Sequence, residues 1–250
     1  MLENNLFNQS KQLLAFLRHG DFAHPGEVEA IKLAMNPIAK QPKQHLLDVG
    51  CGLGGTAHYL QQAEFGKVVG LDIDNDLITY AKKRYADLSF IHGDVLQVKS
   101  LVNQLFEVIY CFSSFFSFSS QQDALHALAS IASPHAELVI FDYSRFSYEL
   151  IESPFHWSKT ATQFNAIYVP ELTDVLLNAG WRFKRSVDIT YQFEQWYETL
   201  LQQFESRQTE IEKQFEPSLV NKMYEGYRQL LLAIKAKKIG GVVVYAIRQP

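Results

Sequence analysis

The sequence predicts a doubly wound α/β fold: a mostly parallel, seven-stranded sheet with helices on both faces and a helical cap inserted before the last strand. Three observations carry this. Short apolar runs rich in β-branched residues alternate with stretches of helical periodicity through the first three quarters of the chain. One of these runs passes directly into a glycine-rich turn, HLLDVGCGLGG. Two long amphipathic stripes interrupt the alternation just before a final apolar strand.

Expected strands are His45–Val49, Val68–Ile73, Leu88–His92, Val108–Phe112, Glu137–Asp142, Phe183–Thr190 and Val242–Arg248. Runs such as LVIFDY are apolar without alternation, the pattern of strands buried on both faces. Helices are expected at Gly55–Glu64, Asp76–Tyr85 and Gln121–Ile131. Strand–helix alternation implies right-handed parallel crossovers. Phe193, Trp196, Tyr197, Leu200, Leu201 and Phe204 fall on one helical stripe; Val220, Met223, Tyr224, Tyr227, Leu231 and Ile234 fall on a second. Pro217 between them suits the first turn of a new helix. The whole chain, 1–250, reads as a single domain, with an N-terminal cap segment over 1–26 and the helical insertion over 191–238. Those two helices could form a movable lid or a fixed packing pair.

Composition narrows the function classes. The 250 residues carry a formal net charge of −4, with 47% hydrophobic and 20% charged residues. That is ordinary globular composition, with no basic bias to favour a nucleic acid partner. Cys51 and Cys111 are too few for a disulfide framework, and the CxxC and HxxH spacings of metal sites are absent, so no metal is expected. The polar start, MLENNLFNQSKQ, does not resemble a signal peptide, and no window approaches a membrane span. A cytoplasmic protein acting on a small molecule, not on a membrane, is the expectation.

The glycine turn holds the chemistry. At Gly50, Gly52 and Gly54 the missing Cβ lets the backbone turn tightly and a ligand approach it closely. The following helix N-terminus offers free N–H groups at the crevice outside the carboxyl ends of the strands. Gly50, Gly52 and Gly55 also satisfy the dinucleotide fingerprint G-x-G-x-x-G, with Asp72 near the position of a ribose-binding acid. Two acids argue against a dinucleotide. Asp48 would repel a pyrophosphate but attract an ammonium, directly or through water. Asp94, after Gly93, suits an adenine amino group.

These motifs in order resemble those of the class I S-adenosylmethionine-dependent methyltransferases. LLDVGCGLGG corresponds to the first motif and VVGLDID to the second; HGDVLQV is the adenine-side motif, FEVIYCFSSFF the fourth strand and SPHAELVIFDY the fifth. The resemblance implies S-adenosylmethionine as cofactor, S-adenosylhomocysteine as product, and a last strand antiparallel to the rest. It implies cofactor contacts at Asp48, Gly50, Gly52, Gly54, Asp72, Ile73, Asp94, Val95 and Cys111, with Asp72 on the ribose hydroxyls and Asp74 as a helix cap. His135-Ala136 stands where two glycines are usual. A weaker similarity, to the branch containing sarcosine and phosphoethanolamine methyltransferases, implies a small amine acceptor and N-methylation. Phe112-Ser113 stands where phosphoethanolamine enzymes have Arg-Asp. O- or C-methylation of a metabolite or lipid, and a non-catalytic cofactor-binding scaffold or sensor, are the alternatives.

Methyl transfer needs positioning and water exclusion more than a catalytic triad. Candidates for the acceptor side are therefore positional. Phe112, Ser113, Ser114 and Phe115 end the fourth strand, Tyr143 and Arg145 the fifth. Gly20, Phe22, His24 and Gly26 could fold over the cofactor, and Trp157, Trp196 and Tyr197 belong to the expected cap. Among these His24, Tyr143 and Trp196 are the catalytic candidates; the aromatic rings would also attract a cationic amine.

Overall fold

The computed structural model describes residues 2–149 and 164–249, with side chains from residue 9 onward; Trp157 lies outside the described residues. The chain opens with two helices, α1 (Leu2–Leu17) and α2 (Glu27–Met35), neither expected from the sequence. Then β1 (His45–Val49), α3 (Gly55–Gln62), β2 (Lys67–Asp72), α4 (Asn75–Arg84) and β3 (Ser89–His92) follow as two crossover units. Beyond them come α5 (Val98–Leu101), β4 (Phe106–Phe112), α6 (Gln121–Ala129) and a long β5 (Ala132–Arg145). A two-residue β6 (Ile167–Tyr168) precedes α7 (Val169–Asn178) and β7 (Trp181–Asp188). The insertion is α8 (Thr190–Ser206), a single turn α9 (Gln208–Ile211) and α10 (Pro217–Lys235), before β8 (Ile239–Arg248).

The sheet runs β3-β2-β1-β4-β5-β8-β7, with β6 as a short eighth strand on β5. β1 through β5 are parallel to their neighbours, whereas β8 is antiparallel to both β5 and β7. This agrees with the expected mostly parallel architecture and antiparallel last strand. Boundaries differ in places: Thr190 begins α8 instead of ending a strand, and β5 starts five residues before Glu137. His135, inside that extension, adopts φ +64, the left-handed region where glycine would be relaxed.

Two apolar cores flank the sheet. One joins buried residues of α1, α2, α3, α4, α8 and α10; the other joins those of α5, α6 and α7. The insertion helices thus belong to a main core. Phe193, Tyr197, Met223, Leu230 and Ile234 are all buried there. Two glycines of β8 make the fit: a Cβ on Gly241 would meet Phe193 at 2.5 Å, and one on Gly240 would meet Thr190 Oγ1 at 2.4 Å. On the far side, Trp196 Nε1 donates to Glu29 Oε2 (3.0 Å), tying α8 to α2. That packing favours a fixed wall over a movable lid. No helix among the described residues is long and apolar enough to cross a membrane.

Gly241→Ala should therefore push Phe193 off its seat. We expect a loss of about 1–3 kcal/mol, the usual cost of overpacking, read as a lowered melting temperature. A silent substitution would mean that α8 gives way and is not locked to β8.

Candidate active site

The carboxyl ends of β3, β2, β1, β4 and β5 surround a cavity of about 380 Å³. Its floor is the turn after β1. Gly50, Gly52 and Gly54 have φ of +75, +55 and +89, values that only glycine adopts cheaply. The three do different work. A Cβ on Gly50 would strike Ser114 Cβ at 2.4 Å, and one on Gly54 would strike Phe90 Cζ at 2.9 Å. In front of Gly52 the nearest atom to an added Cβ is 4.0 Å away, so that backbone faces open space. Gly50 and Gly52 line the cavity; Gly54 does not, and its missing side chain serves helix packing.

Asp72 holds this turn in place. Its Oδ2 accepts from Gly52 N (2.8 Å) and its Oδ1 from Asp74 N (2.9 Å). Asp74 in turn caps α4, accepting from Asp76 N and Leu77 N, as expected. Burial raises the Asp72 pKa, while these two amides and Lys11 on α1 oppose the rise. Asp72, Ile73, Asp94 and Val95 line one end of the cavity. Asp94 also caps a single turn of 3₁₀ helix, accepting from Leu96 N at 2.9 Å.

Besides Gly54, two further expected cofactor contacts lie off the wall. Cys111 is fully buried on the opposite face of the sheet, its thiol pushed up by burial, because alternation along β4 turns it away from the cavity. Asp48 sits beneath the turn, 2% exposed, in register with Tyr110 of β4. Asp48 Oδ2 and the Tyr110 hydroxyl are both buried without a hydrogen bond of ordinary geometry among the described residues. Burial pushes Asp48 up to about 8, and Tyr110, close by, partly offsets this.

The other end of the cavity is aromatic. Phe112, Phe116, Tyr143 and Tyr227 line it, with Ser113 and Ser114 between them and the turn. Ser113 has φ +50, a strained value for a residue with a side chain, and its buried hydroxyl has no hydrogen-bond partner among the described residues. Phe115, expected here, packs instead into the opposite core. Arg145 leaves the site altogether: it donates to Ala166 O and Ser147 O and stacks on Tyr168.

Of the three catalytic candidates only Tyr143 reaches the cavity. His24 is 2% exposed and doubly bonded: one ring nitrogen meets Pro25 O (3.1 Å) and the other Thr56 Oγ1 (2.9 Å). Burial lowers its pKa to about 3, so it is a neutral strut and no base near neutral pH. Trp196 packs over Gly26, where a Cβ would lie 2.5 Å from its ring. The segment around these residues covers the glycine turn. Asp21 O accepts from Gly55 N (3.2 Å), and its carboxylate accepts from Tyr80 and Tyr85 hydroxyls (3.0 and 2.6 Å). Ala23, Ser10, Lys11 and Leu14 complete the wall.

Sequence reasoning missed two contributors. The α1 residues were readable only as a polar terminus, although Leu13, Leu14 and Leu17 give a short apolar face. Asp142 is satisfied by main-chain groups, which residue types do not announce: it accepts from Phe115 N (2.8 Å), Phe116 N (3.2 Å) and Tyr143 N (2.7 Å). It orders the loop carrying the aromatic wall, and burial raises it to about 7.

The raised acids make stability pH-dependent. Asp48 and Asp142 titrate near 3.8 when unfolded and at about 8 and 7 when folded, so the folded state binds more protons between those values. Their contribution is complete below pH 3.8 and is lost as pH rises to about 8. His24 acts oppositely, but only below its unfolded value of 6.5. Between pH 6.5 and 8.5 the melting temperature of the ligand-free protein should fall, and Asp48→Asn should flatten that fall. Parallel curves for the two proteins would place the titrating group elsewhere.

Comparison with known proteins completes the case. Residues 46–136 match the family described as a methyltransferase domain, which spans β1 to the start of β5. An O-methyltransferase from Pyrenophora dematioidea is 28% identical over 157 residues, covering 57% of this chain and 58% of that one. The phosphoethanolamine N-methyltransferase of Plasmodium falciparum is 22% identical over 242 residues, covering 94% of this chain and 91% of its own. Phosphoethanolamine N-methyltransferase 2 of Haemonchus contortus, solved with phosphomonomethylethanolamine and S-adenosylhomocysteine, shares the fold with a TM-score of 0.83 at 14% identity. That superposition covers 99% of this chain and 58% of the other. The chain thus spans less than two thirds of the length of both the fungal enzyme and the nematode one. Residues 46–136 thus form a methyltransferase domain, and in the order of its motifs and in its sheet topology the chain is similar to the class I S-adenosylmethionine-dependent methyltransferases.

Proposed function

We propose that the protein transfers a methyl group from S-adenosylmethionine to a small amine. The observation that carries this reading is one cavity with two unlike ends: acids and an open glycine backbone at one, ring faces at the other. The residues present fit the cofactor. Gly52 leaves room against its backbone, and Asp48, buried beneath the turn with its pKa raised to about 8, would give up its proton on gaining a cationic partner there. In this reading Asp72 takes the ribose hydroxyls, Ile73, Asp94 and Val95 the adenine, and Asp48 the ammonium of the methionine moiety through the turn. The bound cofactor supplies an activated methyl: the amine lone pair forms the N–C bond, the C–S bond breaks with its pair to sulfur, and the N–H proton leaves to water.

The chain's own part is to position and to exclude water. Phe112, Phe116, Tyr143 and Tyr227 give ring faces to an alkylammonium group, worth about 0.5–2 kcal/mol per cation–π contact. The Plasmodium and Haemonchus relatives, named for N-methylation of phosphoethanolamine, support an amine. The fungal relative, named for O-methylation, keeps an oxygen acceptor as the second reading.

Asp72→Ala should weaken S-adenosylhomocysteine binding at least about tenfold, from lost charge-assisted hydrogen bonds. It should also cost stability, because Gly52 N and Asp74 N lose their acceptor. Calorimetry and a melting curve on the same variant check both; unchanged affinity would transfer the ribose role to another group. Methyl transfer across a panel of amines, phenols and carboxylates tests the reaction. We expect turnover with an amine, rising with pH until that amine is deprotonated. Turnover confined to phenols or carboxylates would establish the oxygen reading, and cofactor binding without any turnover would leave a scaffold.

A further inference from the structure

Asp48 and Tyr110 are register partners on the neighbouring parallel strands β1 and β4. Alternation sends both side chains to the same face of the sheet. Leu47, Val49, Ile109 and Cys111 enter the core shared with α6 and α7, whereas Leu46, Val108, Tyr110 and Phe112 enter the opposite one. Asp48 is 2% exposed and Tyr110 is fully buried. The Tyr110 ring is held edge-on to Phe112 at 5.9 Å, and Phe112 stacks on Phe141 at 5.1 Å. Yet the Tyr110 hydroxyl and Asp48 Oδ2 form no hydrogen bond of ordinary geometry among the described residues. Two adjacent polar groups left unsatisfied in a core cost stability, and call for a state of the molecule that uses them.

We propose that Tyr110 is a positioning residue for the cofactor: Asp48 gives up a proton when the ammonium of the methionine moiety docks against the glycine turn, and the Tyr110 hydroxyl donates to the carboxylate so bared. The direction of donation follows from elementary chemistry, since a carboxylate only accepts. The balance is simple. The carboxyl O–H bond breaks, its proton leaves to water, and the ammonium over the turn faces the new negative charge. Burial keeps the ligand-free carboxyl protonated up to about pH 8, with Tyr110 opposing that rise. Burial also holds the Tyr110 phenol and the Cys51 and Cys111 thiols protonated, so none of them competes. Asp72 acts against ionisation of Asp48, Lys11 acts on Asp72, and Asp142 is held by three amides. On the covering strap His24 is neutral, and Arg18 is engaged by Glu27 and His24 O. The positive charge therefore arrives with the ligand, and cofactor affinity should rise with pH up to about 8.

This inference rests on the cofactor reading, and its test separates the two. Calorimetry at pH 7, in buffers of unlike ionisation enthalpy, counts the protons released as each ligand binds. S-adenosylhomocysteine should release about half to one proton per molecule bound. 5′-Methylthioadenosine, which lacks the amino-acid moiety, should release none. Asp48→Asn should abolish the release; one that survives comes from another acid, such as Asp72 or Asp142, and overturns the inference. Tyr110→Phe should weaken S-adenosylhomocysteine about three- to tenfold, the value of one hydrogen bond, and leave 5′-methylthioadenosine within twofold. Its ligand-free melting temperature should not fall, because the hydroxyl it removes is unbonded there. Equal weakening of both nucleosides, unchanged affinity for both, or a lowered melting temperature makes Tyr110 merely structural and overturns the inference. Binding of both nucleosides without proton release overturns it too, and leaves the cofactor reading intact. If neither nucleoside binds the wild-type protein, the cofactor reading fails and this inference with it.

Discussion

The site depends on one carboxylate. Asp72 accepts from a backbone amide on each side, Gly52 in the turn after β1 and Asp74 at the start of α4. Through these two bonds the loops of neighbouring strands are joined at the point where the sheet opens. A left-handed turn of three glycines is intrinsically loose, because glycine loses more conformational freedom on ordering than any other residue. Main-chain bonds from Gly50 N and Cys51 N to Leu71 O (2.7 and 3.1 Å) share the work, so the turn is clamped to β2 along its whole first half. Once it is fixed, Ser114 fits above Gly50 and bonds Val49 O at 2.6 Å, bringing the β4 loop into register with it.

Around that clamp the molecule places two outside segments. The stretch between α1 and α2 lies on the glycine turn through Asp21 and His24, while α8 and α10 stand against β5 and β8. Trp196 joins the two, packed on Gly26 and bonded to Glu29. Neither segment supplies a charged group to the aromatic end of the cavity; among the described residues that end is made of rings and hydroxyls. The charges, Lys11 and the acids Asp72, Asp74 and Asp94, gather at the other end. The separation suits a charged, hydrogen-bonding cofactor facing a less polar partner.

What was legible in the sequence followed from repetition. Continuous apolar runs marked the strands, and their alternation with helical stripes implied the parallel order, because both signals extend over many residues. Turn chemistry was also plain: Asp74 caps α4 and Pro217 opens α10, as their types and positions suggest. Direction was harder. Cys111 and Phe112 are neighbours in β4, yet they face opposite cores, and which of them met the cavity depended on a register that no motif specifies. His24 was chemically eligible as a base, but its two hydrogen bonds come from Pro25 and from Thr56, which is distant in sequence. Asp142 shows the same limit from the other side. A carboxylate satisfied by three main-chain amides leaves no trace in residue types.

The pairing of β5 with β8 bears on how this chain acquires its shape. Ile140 lies beside Val244, 104 residues further along, and the two strands pair over nine positions from Glu137–Ile247 to Arg145–Ile239. During synthesis β5 therefore waits with one edge open until β8 has emerged, and that edge carries the apolar run LVIF. Closing so long a loop is slow, and an unpaired apolar edge invites association with other chains. The insertion lengthens the wait, since α8, α9 and α10 must all be made before β8. The centre of the finished sheet is thus its last part to be sealed, and nascent or partly unfolded molecules are most exposed to aggregation there.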